Sequence, residues 1–161
     1  MANPRVRQLL AILARAYDRK SWHGTNLRGS IRGLDPATAA HRPAPGRHNI
    51  WELVIHAAYW KYVVWRKLSG EKRGAFPLEG SNWFPRPLER DDGEREWKRD
   101  VALLGQMHAQ LVERVAALTD QDLDRVPRGS TVSLFELVAG VAAHDLYHAG
   151  QIQLLKRMAR K

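Results

Sequence analysis

The sequence predicts an all-α fold in which four long helices are joined by connections of very different length. Three observations indicate this class. Four segments carry apolar residues at three- and four-residue spacing, which is the period of an amphipathic helix. Two of these segments begin with a polar residue followed three positions later by glutamate, the pattern of a capping box. A connection rich in proline and glycine, residues 70–90, separates the second segment from the third.

The length and composition bound the class of protein. The 161 residues suit one domain with a sizeable core, and we expect a single domain over 1–161. The chain has no cysteine, which excludes disulfides, thiolate zinc sites and a cysteine nucleophile and leaves His, Asp and Glu as ligands. The N-terminus lacks the apolar core of a signal peptide, and no stretch of 18 apolar residues occurs. We therefore expect a cytoplasmic protein.

The formal net charge of +9 raises the question of nucleic acid, because basic chains of this size often bind anionic polymers or surfaces. Here the charge is scattered over segments that mix both signs. The one cluster, Lys156, Arg157, Arg160 and Lys161, lies at the C-terminus, where cations complement a helix dipole. Nucleic-acid binding is therefore a minor hypothesis.

The first helix is predicted from about Pro4 to Lys20, because proline is tolerated at a helix start and apolar residues recur at helical spacing behind it. Glycines after Lys20 end the pattern, and residues 21–26 are a candidate turn or the start of a second short helix. His23 follows without a partner at ligand spacing, so it is interpreted as an ordinary loop histidine. The stretch 34–47 is interpreted as a connection with at most one short helical turn, because it holds three prolines and a glycine.

The second helix is predicted to begin at Asn49, which forms a capping box with Glu52, and to stop before Gly70. His56 lies on the apolar stripe of this helix. A lone histidine in such a position is more often a core residue than a ligand. The interpretation of His56 as a ligand therefore depends on whether other candidate ligands lie near it in the fold.

The connection 70–90 is long for a segment without periodic structure. Such a segment is usually either functional or a crossover between distant ends of a bundle. Its aromatic residues Phe76, Trp83 and Phe84 either cap the core or wall a pocket, and both interpretations stay open.

The third helix is predicted from about Asp91 to Leu118, with acidic residues at its start that suit a helix N-terminus. Its apolar stripe contains His108. This residue is a candidate fourth ligand, a group that orients a ligand, or a core residue with its hydrogen bonds satisfied. The last is favoured because His108 has no partner one turn away.

The fourth helix is predicted to start with a capping box at Ser133 and to reach at least Met158. Its apolar stripe is interrupted by His144, His148 and Gln151. Side chains four apart project from one face, so the two imidazoles lie side by side. Buried polar groups need partners, and two explanations are open: hydrogen bonds between the side chains, or a shared divalent metal. The paired histidines followed by glutamine favour the metal.

Two stretches carry a resemblance to a known family. Residues 51–60, WELVIHAAYW, and residues 144–151, HDLYHAGQ, resemble the DinB/YfiT-like superfamily of metal-binding four-helix-bundle proteins. The resemblance covers most of the chain. The His-x-x-x-His element is short, but its combination with an upstream histidine near a helix start is fairly specific.

The resemblance implies a four-helix bundle of up-down-down-up type, with a long crossover connection between helices two and three. It also implies a divalent metal held by His56, His144 and His148, with one side open to water or substrate. Family members with assigned activity include thiol-dependent S-transferases and isomerases that use low-molecular-weight thiols, and members often form dimers. A homodimer is therefore expected here.

Zinc is the first choice of metal, with nickel, iron or manganese as alternatives, because a three-histidine site discriminates poorly among them. Gln151 and Glu52, three after His148 and four before His56, are candidates to orient the imidazoles. Tyr147 either reaches the site or packs between helices. Asp145 is rotated by about 100° from His144, so we expect it to meet a neighbouring helix or solvent.

The first functional hypothesis is a metal-dependent enzyme, a hydrolase or thiol-dependent S-transferase acting on a small molecule. The alternative is a non-catalytic metal-binding or stress-response helical bundle, and the third hypothesis is the nucleic-acid binder. No catalytic residue beyond the ligands is identified, and no phosphate-binding loop, serine nucleophile motif or dinucleotide fingerprint occurs.

Overall fold

The computed structural model describes residues 3–74, 76–86 and 93–159, and over these residues every regular element is a helix. The predicted all-α class is confirmed for this part of the chain. In chain order the helices are α1 (Pro4–Tyr17), α2 (Leu27–Ile31), α3 (Pro36–Ala40), α4 (Ile50–Ser69), α5 (Gly93–Ala116) and α6 (Leu134–Ala159). A 3-10 turn, Asp122–Asp124, lies between α5 and α6. No helix within the described ranges is both long and apolar enough to cross a membrane.

The boundaries follow the predicted signals closely. Both capping boxes form: Asn49 and Glu52 exchange hydrogen bonds at the start of α4, and Ser133 and Glu136 do so before α6. α4 ends at Gly70, whose φ of +74° is the left-handed conformation that glycine adopts without strain. α1 stops three residues before the predicted end. α3 is the short turn expected in the proline-rich stretch, and α2 begins directly after residues 21–26, the candidate start of a short helix.

The long helices of the described residues pack side by side. α4 lies against α5 and α6, and α1 lies against the same two helices. Trp51 meets Trp97 near the starts of α4 and α5, while Arg114 donates to the carbonyl oxygen of Leu68 near their ends. α4 and α5 therefore run parallel. α4 runs antiparallel to α6. His56, early in α4, contacts His144 in the middle of α6, whereas Leu68, at the end of α4, lies in the same core cluster as Leu134 at the start of α6.

Parallel neighbours must be joined from one end of the bundle to the other, which is what the predicted crossover between α4 and α5 would do. Residues 75 and 87–92 of that connection, including the predicted helix start at Asp91, lie outside the described residues. The crossover therefore stays a prediction, and so do the count of four helices and the single domain.

The core consists of two clusters of buried side chains, one toward each end of the bundle. One cluster packs around Trp51, Ile55 and Met107, and the connection between α4 and α5 contributes Phe84 to it. Phe84 is buried, while Phe76 and Trp83 are partly buried against the same cluster. The aromatic residues of the connection therefore do cap the core.

Candidate metal centre

Three histidines from two helices converge on one point. α4 supplies His56, and α6 supplies His144 and His148 from one face. The Nε2 atom of His144 lies 3.1 Å from Nε2 of His56 and 2.9 Å from Nε2 of His148. One nitrogen from each ring lies within 4.8 Å of the other two. The spacing that placed His144 and His148 side by side is thus matched by a third nitrogen from the opposite helix.

Two of the rings have their proton fixed on the far nitrogen. His56 donates its Nδ1 hydrogen to the backbone carbonyl oxygen of Asn82 at 2.8 Å, because a carbonyl oxygen only accepts. His148 donates from Nδ1 to the side-chain oxygen of Gln151 at 2.6 Å. A neutral imidazole carries one proton, so the Nε2 atoms of both rings present bare lone pairs to the centre of the cluster.

His144 cannot satisfy these two lone pairs by itself. Its Nδ1 atom is buried without a hydrogen-bond partner. With the proton on Nε2, one donor faces two acceptors and the Nδ1 lone pair stays unpaired. With the proton on Nδ1, that N–H is unpaired and three lone pairs face one another. Either arrangement leaves buried polar atoms unsatisfied, which costs free energy.

A divalent cation would accept all three lone pairs at once. Imidazole nitrogens bind zinc at about 2.0–2.1 Å, which puts tetrahedral ligands about 3.3 Å from each other. The two Nε2 separations are close to that value. The donor set and its protonation therefore fit a first-row divalent metal, and the remaining coordination positions would not be filled by these rings.

The electrostatics of the cluster favour neutral rings. Burial lowers the pKa of His56 to about 4, against the opposing hydrogen bond to Asn82. Burial lowers the pKa of His144 to about 3, and the neighbouring His148 and His56 lower it further. Burial also lowers the pKa of His148. The neutral imidazole, which is the form that binds metal, is therefore favoured at neutral pH in all three side chains, and a second proton competes weakly for each.

Aromatic rings from the connection wall one side of the cluster. Trp83 stacks on His56 with ring centroids 3.9 Å apart, and His48 stacks on the other face of Trp83 at 3.5 Å. The aromatic residues of the connection were predicted either to cap the core or to wall a pocket. Trp83 packs against the core and also against the histidine cluster.

Asn82 joins this wall to the ligands. Besides accepting from His56, it accepts from Trp60 Nε1 at 3.0 Å through its side-chain oxygen. Its φ of +63° is the only positive value among the described residues other than glycine. Asparagine tolerates this conformation better than most side chains, so its identity fits the backbone that delivers the carbonyl oxygen. Sequence reasoning identified the segment around Asn82 but not this role.

The structure places the three predicted accessory residues differently. Gln151 lies where its spacing predicted, hydrogen-bonded to His148. The prediction that Glu52 orients His56 is not what the structure shows, because that carboxylate closes the capping box and pairs with Arg42 and His48. Tyr147 is 65% exposed, so it does not pack between helices, although its ring lies edge-on to His148.

The remaining polar candidates lie apart from the cluster. Asp145 is fully buried and forms an ion pair with Lys61 of α4, so the expected contact with a neighbouring helix is confirmed. His108 is buried and stacks on Tyr17 with ring centroids 3.7 Å apart, as a core residue should, but its Nδ1 atom lacks a partner. His23 is exposed, as the loop interpretation required. Lys61 was missed altogether.

Comparison with known proteins gives one finding. A family model described as the DinB superfamily matches residues 20–152, which is most of the chain and includes all three converging histidines. Neither a curated protein nor a solved structure matches the chain.

Proposed function

The chain belongs to the DinB superfamily, and we propose that it is a metal-dependent enzyme that holds one divalent cation through His56, His144 and His148. The observation that carries the proposal is the convergence of three Nε2 atoms, two of which have their Nδ1 protons already committed to oxygen acceptors. Hydrogen bonding among the three rings alone leaves at least one of them unsatisfied. A metal is the simplest group that satisfies all of them.

Three neutral ligands would leave the full charge of the cation to act as a Lewis acid on a water or a thiol. The chain's own residues supply the positioning. Asn82 and Gln151 hold two rings in one tautomer and one orientation, which is the usual function of such hydrogen bonds around a metal. Trp83 stacks on His56 and covers one face of its ring.

Access is proposed from the side of His144, the ligand that is only partly buried, whereas His56 and His148 are 6% and 4% exposed. The proposed reaction is hydrolysis or a thiol-dependent S-transfer of a small substrate, with a low-molecular-weight thiol as the first co-substrate to try. Zinc is the first candidate metal, followed by nickel, iron and manganese, because three imidazoles select weakly among them.

The alternative function is a non-catalytic metal-binding module. The near-complete burial of two of the three ligands is the observation that favours it, since structural sites are closed and catalytic sites keep an open position. A cobalt-loaded protein distinguishes the two: small ligands such as azide change its visible spectrum only if a coordination position is open. An unchanged spectrum would support the module.

Elemental analysis of protein purified without an affinity tag tests the common premise. We expect about one equivalent of divalent metal in the parent and loss of the metal in His56→Ala and in His148→Ala. His108→Ala is the matched control, a buried histidine outside the cluster, and should keep the metal. A parent that stays metal-free after reconstitution would overturn the proposal. The homodimer and the cytoplasmic location stay predictions, and analytical ultracentrifugation tests the first.

A further inference from the structure

A cleft of about 1020 Å³ lies beside α4, and none of the three converging histidines lines it. One wall is formed by residues 70–74 and 76–81, and the other by residues 125 and 127–129 between α5 and α6. At one end it reaches Trp60 and Ser81, which adjoin the metal centre. The cleft has the size of a small-molecule site, and positive side chains outnumber negative ones in its lining.

The lining is strongly basic. Six of its side chains are cationic, namely Arg66, Lys67, Lys72, Arg73, Arg125 and Arg128. Two are carboxylates, Glu71 and Glu79, which leaves a formal excess of four positive charges. Charges of one sign around a concave surface focus the field within it and raise the local concentration of counter-ions. The cleft is therefore suited to an anion.

The cleft also has an aromatic lining. Tyr59, Trp60 and Phe76 contribute to it, and the ring of Tyr59 packs edge-on against that of Phe76. Aromatic rings beside cationic side chains match a ligand with an apolar or aromatic body and charged groups at its edge. An inorganic anion alone would leave these rings uncovered.

Trp60 connects the cleft to the metal centre. Its ring lies 6.3 Å from that of His56 and 6.2 Å from that of His144, between centroids. Its indole N–H donates to the Asn82 side chain, whose backbone oxygen holds His56. A ligand that lay along the cleft and ended at Trp60 would thus place that end beside His144, the partly exposed ligand.

We infer that the cleft binds the anionic portion of the substrate, a small organic molecule with an apolar body and two or more negative charges from carboxylate or phosphate groups. The inference rests on the proposed function for the reaction at the metal. The binding of an anion in the cleft depends only on the lining residues. Failure of one can therefore be told from failure of the other.

The experiment uses 1-naphthyl phosphate as the probe and neutral 1-naphthol as its uncharged counterpart, titrated calorimetrically at low ionic strength. The parent should bind the phosphate saturably and the naphthol at least about tenfold more weakly. Arg125→Gln/Arg128→Gln should weaken phosphate binding about tenfold or more. The control Arg7→Gln/Arg15→Gln removes the same charge from exposed positions on α1, outside the cleft, and should change binding less than about twofold.

Each titration is repeated after chelator treatment, which removes direct ligation of the phosphate by a metal. Binding that persists and still depends on the two arginines supports the cleft, even if the protein proves to hold no metal. Metal at one equivalent with no saturable phosphate binding overturns the cleft and leaves the proposed function standing. Equal loss in both double variants, or tighter binding of a single-stranded oligonucleotide than of the probe, overturns the small-molecule assignment.

Discussion

Two buried polar groups lie side by side between α4 and α6, and they differ in the charges that the chain supplies to each. The ion pair of Lys61 and Asp145 lies just beyond the ligands His56 and His144 along the same two helices. In the ion pair, the chain supplies both charges. In the candidate metal centre, it supplies three neutral imidazoles whose Nε2 atoms face one another. The chain therefore balances the charges of the first group by itself, although Asp145 Oδ1 has no hydrogen-bond partner, whereas the second group fits a cation that the chain does not encode.

The ion pair is as deeply buried as any group in the bundle. Lys61 and Asp145 have no exposed side-chain surface, and Nζ lies 2.5 Å from Oδ2. The ammonium also lies 5.0 Å from the centre of the Tyr17 ring, which favours a cation. Burial raises the pKa of the Asp145 carboxyl, and the ammonium of Lys61 opposes that rise. Each charge depends on the other because water reaches neither.

Breaking the ion pair should have the largest effect. Lys61→Met leaves the Asp145 carboxylate buried without its partner, and we expect the free energy of unfolding to fall by about 3–5 kcal/mol. Urea denaturation measures this. Lys67→Met, which alters a partly exposed lysine of the same helix, is the control and should change stability by less than about 0.5 kcal/mol.

The double variant Lys61→Met/Asp145→Leu sharpens the result, because an apolar pair can replace a buried ion pair without loss. It should recover most of the stability lost in Lys61→Met. If the single variant unfolds as easily as the parent does, then water or another group compensates Asp145, and the pair is not self-sufficient.

Removal of the metal is expected to have the next largest effect. At a free metal concentration of 100 times Kd, binding stabilises the folded state by about 2.7 kcal/mol, and a chelator should remove that increment. The increment should be absent in His148→Ala and present in Lys61→Met/Asp145→Leu, measured by thermal unfolding with and without chelator. Loss of the increment in the double variant would show that the two groups are one cooperative unit.

The histidine cluster was found from the sequence, whereas the ion pair of Lys61 and Asp145 was not. His144, His148 and Gln151 stand out because three polar residues interrupt an apolar stripe at one-turn spacing. Lys61 also interrupts an apolar stripe, between Ala58 and Val64 at three-residue spacing, but this signal was missed because lysine is almost never fully buried. Its partner is 84 residues away. Only the packing of α4 on α6 brings the two charges together.

The accessory residues show the same limit. Gln151 acts within one turn of the helix that holds its partner, so spacing was enough to find it. Asn82 reaches His56 from a connection, through a backbone oxygen that any residue type carries. Glu52 closes the capping box with one carboxylate oxygen, which by itself leaves the other free to accept. Arg42 and His48 occupy the carboxylate in the fold, and the spacing of the sequence did not reveal these partners.

Gln151→Leu should have the third largest effect, and it affects the metal centre alone. Without the acceptor, His148 loses the hydrogen bond that fixes its tautomer, and such losses typically reduce metal affinity 10–100-fold, or about 1.4–2.7 kcal/mol. Competition with a chromophoric chelator measures the affinity. Gln153→Leu is the matched control on the same helix, since Gln153 bonds to Thr25 and not to a ligand, and its affinity should equal that of the parent.

The smallest effect concerns His108, which stacks on the same Tyr17 ring that faces Lys61. Burial lowers the pKa of His108 to about 3, and the positive charges of Lys61 and Arg28 lower it further. In the unfolded chain, His108 has the ordinary pKa of about 6.5. Between pH 6.5 and pH 3 it is therefore protonated in the unfolded chain and neutral in the folded protein. Stability contributed by neutral His108 is therefore complete above pH 6.5 and is lost as the pH falls.

His108→Leu should remove this dependence. From pH 7 to pH 5 the metal-free parent should lose about 1–2 kcal/mol more stability than the metal-free variant does. Urea denaturation at both pH values measures the difference, in which the contributions of His56, His144 and His148 cancel because both proteins contain them. Equal losses would mean that folded His108 takes up its proton near the ordinary pKa of about 6.5. At pH 5 a second cation would then lie beside the ion pair of Lys61 and Asp145.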